Sequence, residues 1–166
     1  MPLSKSTPDR VRGNRRSGGY RYQQRMPMSH ITRVVYTART ATTGSRENGA
    51  SRSSDGLLDI WLSTPGSARI GTNPEQLLAA GWSASFASAI ASAAHERKIA
   101  LPAGMSIEAE VNLNYGENGH FLSVQLDIAV PSLERDVVQI LVDEAHEICP
   151  YSKATRGNID VVMRIV

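Results

Sequence analysis

Ala79–Ala94 is built almost wholly from Ala, Ser and Gly, and no charged side chain occurs from Gln76 to Ala94. A good helix signal precedes it. Asn73 is a favourable N-cap, Pro74 suits the first helical position, and Glu75 meets the positive end of the dipole. The spacing predicts one helix from Pro74 to about Arg97. Small side chains on all sides, without a polar face, imply a helix buried on most sides with close backbone approach, packed between sheets or across a subunit interface.

The flanking segments alternate rather than follow a helical period. Arg33–Thr43 is rich in β-branched residues and reads as a strand, Ser51–Ser53 as its return, and Leu57–Leu62 as a third. Met105–Tyr115 alternates Ile107, Ala109, Val111 and Leu113 with Glu108, Glu110 and Asn112. A turn at Glu117-Asn118-Gly119 leads to the return strand Phe121–Val130. Ser132 is the expected cap of a second helix with the stripe Leu133, Val137, Val138, Leu141, Val142, Ala145 and Ile148, and Pro150 is its expected stop. Asn158–Val166 is a last strand. The order is β-β-β-α-β-β-α-β, an α+β class. At 166 residues the chain holds one compact domain, expected over 29–166.

Charge separates that domain from what precedes it. Residues 1–28 carry seven bases against Asp9, a net of +6, while the other 138 residues are at −4. The extension lacks apolar periodicity and is expected to be disordered. It could be a dispensable extension ahead of Met28, a presequence directing the protein to mitochondria rather than the expected cytoplasm, or a polyanion-binding tail. The acidic body argues against nucleic-acid binding. No apolar run approaches the roughly 18–20 residues that a membrane-spanning helix needs, which rules out an integral membrane protein on this reading.

Few residues announce chemistry by themselves. The single cysteine, Cys149, excludes an intrachain disulfide and a cysteine zinc cage. At the carboxyl end of the second helix it should be a sluggish nucleophile, a small buried hydrophobe. Gly81-Trp82-Ser83-Ala84-Ser85 nearly spells a hydrolase elbow but lacks the last glycine and lies mid-helix. His30, His95, His120 and His146 form no metal set, although His146 and Cys149 share a helix face.

Two longer motifs carry a resemblance. Thr72–Gly81 (TNPEQLLAAG) and Cys149–Val161 (CPYSKATRGNIDV), with Val35-Tyr36-Thr37-Ala38 and Ser53-Ser54-Asp55-Gly56, resemble the organic hydroperoxide resistance branch of the OsmC-like family. That resemblance covers about residues 33–166. It implies an intertwined homodimer with sites at the subunit interface, and thiol peroxidase chemistry that reduces organic and fatty-acid hydroperoxides to alcohols. It further implies reduction by a dihydrolipoyl-bearing protein or small dithiol, with no metal, haem or flavin. Cys149 matches the resolving cysteine, Arg46 the arginine that stabilises the peroxidatic thiolate, and Glu75 the carboxylate holding that arginine.

One position departs from this pattern. The family has Ala-Gly-Tyr-Ser-Ala-Cys-Phe at the central helix, and this chain has Ala80-Gly81-Trp82-Ser83-Ala84-Ser85-Phe86. Ser85 thus stands at the peroxidatic position, either by an introduced replacement or in a natural member that lost the thiol. Lys153 replaces an asparagine as well. A hydroxyl has no anion population comparable to a thiolate and forms no sulfenic acid, so the chain is expected to lack peroxidase turnover. The alternative is a non-catalytic module that binds hydroperoxides or acyl chains in the same pocket.

Overall fold

The structure, a computed structural model, describes residues 33–166; the expected disorder of 1–28 lies outside the described residues. The chain divides after Thr37, and the compact unit is Ala38–Val166. Its elements are β1 (Thr40–Thr43), β2 (Ala50–Ser53), β3 (Asp59–Trp61), α1 (Pro74–Glu96), β4 (Ser106–Gly116), β5 (Gly119–Ala129), α2 (Arg135–Ile148), α3 (Pro150–Thr155) and β6 (Asp160–Ile165). The α+β class holds, with one helix more than the sequence suggested.

Two three-stranded sheets form. One is the antiparallel meander β1-β2-β3; the other has the order β4-β5-β6, with β4–β5 antiparallel and β5–β6 parallel. The expected strand from Arg33 begins only at Thr40. Its register pairs Thr40 with Ser53, and beyond Ser53 the chain turns at Gly56 with φ +75°. The Arg39 carbonyl still accepts from the Ser54 N–H at 2.9 Å, but the regular ladder starts at Thr40, and propensity alone does not set where a strand begins.

Helix α1 starts as the sequence dictates, with the Asn73 side chain accepting from the Gln76 N–H at 2.9 Å, and Arg97 closes it. Burial is one-sided rather than all round. Trp82, Phe86 and Ile90 are fully buried against Leu126 and Ile128 of β5 and Val138, Leu141 and Val142 of α2. Burying each large side chain contributes roughly 1.5–3 kcal/mol, so these three fasten the helix. The opposite side, with Ala80, Ala84, Ser88, Ala91 and Ser92, is exposed in the single chain. By length and a mean hydropathy of 1.4, α1 does pass the threshold for crossing a membrane, contrary to the sequence reading. The sheet and α2 occupy its Trp82–Phe86–Ile90 side, which is how a core helix of a folded domain is covered.

Two helix boundaries differ from expectation. Ser132 does not cap α2; it has φ +68° and follows Pro131 in a turn closed by the Leu133 N–H donating to Val130 O at 3.5 Å. Proline then a left-handed residue is the type II arrangement, and α2 begins after Glu134, which makes no side-chain cap. Pro150 ends α2 but also opens α3, since proline tolerates the first helical position.

Candidate active site

Arg46 is presented by the loop between β1 and β2. Gly44 turns the chain at φ +73°, and the Gly49 N–H donates to Ser45 O at 2.7 Å. A Cβ on Gly49 would come within 2.5 Å of Ser45 O and strike Thr43 O as well, so only glycine closes this loop. From it the Arg46 Nη2 donates to Glu75 Oε2 at 2.7 Å. Glu75 occupies the second position of α1, where the helix dipole favours its charge. Its side chain is 15% exposed and that of Arg46 37%. Next along the loop, Glu47 is held below the usual carboxylate range by a hydrogen bond from the Ser45 hydroxyl.

A second pair lies further along α1. Ser85 Oγ is 3.5 Å from Cys149 Sγ, and Cys149 is fully buried. The thiol sits at a joint: the Cys149 N–H donates to Ala145 O at 2.8 Å, ending α2, while its carbonyl accepts from the Lys153 N–H at 3.0 Å, opening α3. The expectation of a sluggish thiol rested on one helix end. With a negative end and a positive end meeting at Cys149, that field argument loses its sign. Beside the pair, the Trp82 and Tyr151 rings stand 6.2 Å apart. A Cβ on Gly81 would come within 2.6 Å of the Tyr151 hydroxyl, so the tyrosine packs closely over the helix backbone there.

The four residues singled out in the sequence thus come together as two pairs. Glu75 and Ser85 are ten positions apart on one helix, about 15 Å along its axis. A cavity of about 760 Å³ opens at the first pair, lined by Arg46, Glu75, Ala79, Ala109, Val111 and His120 among others, and neither Ser85 nor Cys149 lines it. Within one chain the four residues do not form a single site. The β4 contribution was legible as the odd positions of an alternating strand. His120 was not, since its place depends on the hairpin register that sets it opposite Tyr115. Among the described residues no three His, Cys, Asp or Glu side chains converge as a metal centre would require.

Comparison with known proteins gives this arrangement a context. The OsmC-like protein family profile matches residues 65–164. The chain is 46% identical over 142 residues to an organic hydroperoxide resistance protein of Xanthomonas axonopodis pv. citri, covering 83% of this chain and 99% of that one. A crystal structure of the organic hydroperoxide resistance protein OhrB of Bacillus subtilis superposes with a TM-score of 0.76 at 40% identity, over 80% of this chain and all of that one. An organic hydroperoxide resistance protein OsmC from Legionella pneumophila gives 0.75 at 41% identity, over 80% and 98%.

Proposed function

Because the chain belongs to the OsmC-like family, alongside its organic hydroperoxide resistance proteins, we propose that its site is an organic-hydroperoxide reductase site lacking one sulfur. The family membership implies peroxide detoxification. The observation that carries the finer reading is the 3.5 Å approach of Ser85 Oγ to Cys149 Sγ. A sulfur at position 85 would lie within reach of a disulfide to Cys149 after a shift of about 1.5 Å, given an S–S bond of about 2.05 Å.

With cysteine there, the sequence of steps balances. The thiolate sulfur attacks the outer peroxide oxygen, the O–O bond breaks, and the alkoxide leaves as the alcohol after taking a proton. The resulting sulfenic acid condenses with the Cys149 thiol, releasing water and forming the disulfide. An external dithiol, of which a dihydrolipoyl group is the expected form, returns both sulfurs to thiols. Arg46, held by Glu75, would stabilise the attacking thiolate and the departing alkoxide through its planar fork. Ser85 removes the first step, and the chain as it stands binds hydroperoxide without turning it over.

Two chains complete this site. The Arg46–Glu75 pair stands about 15 Å along α1 from Ser85, so the guanidinium reaches the sulfur position from a second copy rather than from the same chain. The open side of α1, made of Ala80, Ala84, Ser88, Ala91 and Ser92, allows the close helix approach such a homodimer needs. The non-catalytic binding reading keeps the same cavity and follows from Ser85 alone.

The test is a single oxidation. Ser85→Cys is treated with one equivalent of cumene hydroperoxide and its intact mass measured. Loss of two hydrogens within one chain, abolished by adding Cys149→Ser, is the expected result. A stable sulfenic or sulfinic mass that ignores Cys149 would sink the assignment.

A further inference from the structure

Trp61 is a large aromatic side chain left more than half exposed on the β1-β2-β3 sheet, and its neighbours fix the direction it faces. Thr42, Ser51 and Leu62 line a hollow together with Pro74 and Leu77 of α1, so their face of the sheet is turned toward α1. Arg52 and Trp61 alternate with Ser51 and Leu62 along β2 and β3 and therefore look away from α1. The helix through which two copies pair lies on the other side of this sheet.

Guanidinium groups flank the Trp61 ring from both sides. Arg52 comes from β2, with its Cζ 5.5 Å from the ring centroid, and Arg69 comes from the segment returning along the other edge of β3, at 5.3 Å. That return is fixed by the Thr72 N–H donating to Trp61 O at 2.9 Å. Arg52 holds Asp59 at 2.8 Å, the one carboxylate that this face carries within the three strands. Arg69 donates through Nε to Leu62 O at 3.2 Å. Among the described residues it meets no carboxylate, so its outer nitrogens are left for an anion from outside. Ile70 shares a hollow of about 270 Å³ with Trp61 and Arg69, and it is 93% exposed.

An apolar side chain held out in water among cations suits a surface that is apolar within and anionic at its boundary. Indole rings settle at the level of lipid headgroups, and arginine lays its stem along apolar surface while its charge stays with the phosphates. A single strand of nucleic acid fits less well, because base stacking needs an open ring face and guanidinium groups stand on both sides of Trp61. Residues 1–28, with their net charge of +6, are joined to this sheet through β1. They supply the second, electrostatic signal that attachment to a membrane surface requires. We infer that the outer face of β1-β2-β3 around Trp61, Arg69 and Ile70 docks this protein on an anionic lipid surface. The docking is independent of the chemistry proposed at position 85.

The test is co-sedimentation of the full chain with vesicles of phosphatidylcholine alone, and of equal parts phosphatidylcholine and phosphatidylglycerol. Binding to the anionic vesicles, weakened by salt and absent from the neutral ones, is the expected result. Tryptophan emission should shift to the blue as Trp61 leaves water, since Trp82 is buried already. Ile70→Ser should weaken vesicle binding about tenfold and Arg69→Gln about fivefold. Ile70→Ser changes a side chain almost wholly in water, so its urea midpoint should stay where it was. Binding undiminished in both variants would assign attachment to residues 1–28 alone and overturn the inference. An Arg69→Gln loss seen with a single-stranded oligonucleotide and not with vesicles would overturn it as well. So would a blue shift that grows with protein concentration in the absence of lipid, which marks a second copy as the occupant. Hydroperoxide turnover by Ser85→Cys is read separately, and either proposal can fail while the other stands.

Discussion

Removing the Arg46–Glu75 ion pair gives a sharp energetic test of how the arginine is held. The two charges are 2.7 Å apart, and at that distance Coulomb attraction amounts to about 1.5 kcal/mol in a water-like dielectric and about 6 kcal/mol at an effective dielectric of 20. Arg46 is more than a third exposed, which pulls the figure toward the lower bound, and ordering two long side chains opposes it. A coupling of about 1–2 kcal/mol is expected. The assay is a double-mutant cycle with Arg46→Ala, Glu75→Ala and the double variant, each unfolded in urea at one fixed protein concentration. Glu75→Ala alone also removes a favourable helix-end charge worth about 0.3–1 kcal/mol, and the cycle cancels that contribution. In 1 M salt, where the screening length is about 3 Å, the coupling should fall by half or more. A coupling below about 0.3 kcal/mol at low salt would refute the claim that Glu75 fixes the guanidinium.

Other perturbations follow from the same geometry. Gly49→Ala drives a Cβ into Ser45 O and Thr43 O; it should lower stability by about 2 kcal/mol or more and displace Arg46, as urea midpoints and hydroperoxide affinity would register. In Ser85→Cys, oxidation to a disulfide with Cys149 ties residues 64 apart; the loop-entropy model gives about 4 kcal/mol of stabilisation, lost on adding dithiothreitol. Phe86→Ala empties a fully buried position and should destabilise the fold by about 3–5 kcal/mol in urea. Acid titration tests the surface pairs. Arg164 holds Asp127, and Arg97 holds Glu144, below their ordinary carboxylate values. These depressed groups contribute stability that is in place above their unfolded value near 4 and is lost as pH falls below it. Arg97→Met with Arg164→Met should therefore flatten the stability–pH curve below about pH 4, and an unchanged slope would contradict the assignment.

Much of the scaffold was legible because local chemistry and tertiary need agree there. Asn73, Pro74 and Arg97 delimit α1 almost to the residue, and the alternation on β4 with a glycine at the turn specifies the hairpin. Legibility failed where one residue serves two local structures. Pro150 reads as a stop, and it both ends α2 and begins the six-residue α3, a helix too short to show a period. Ser132 has the composition of a cap but sits in a left-handed turn position. The β-branched residues before Thr40 have the propensity of a strand, yet the ladder with β2 starts only at Thr40.

At the site, Glu75 was readable as a helix-start charge, yet its pairing with Arg46 spans 29 residues and leaves no periodic trace. The meeting of Ser85 with Cys149 is longer-ranged still and was reachable only through the family pattern.

The most direct test of the whole account is steady-state consumption of an organic hydroperoxide with dihydrolipoamide as reductant, comparing the chain with its Ser85→Cys variant. Turnover by the variant and none by the unaltered chain is the expected result, and it would mean that Arg46, Glu75 and Cys149 still form a working site around one absent sulfur. Turnover by the chain carrying Ser85 would contradict the placement of the reacting group, and silence from both would show that the site has lost more than a sulfur.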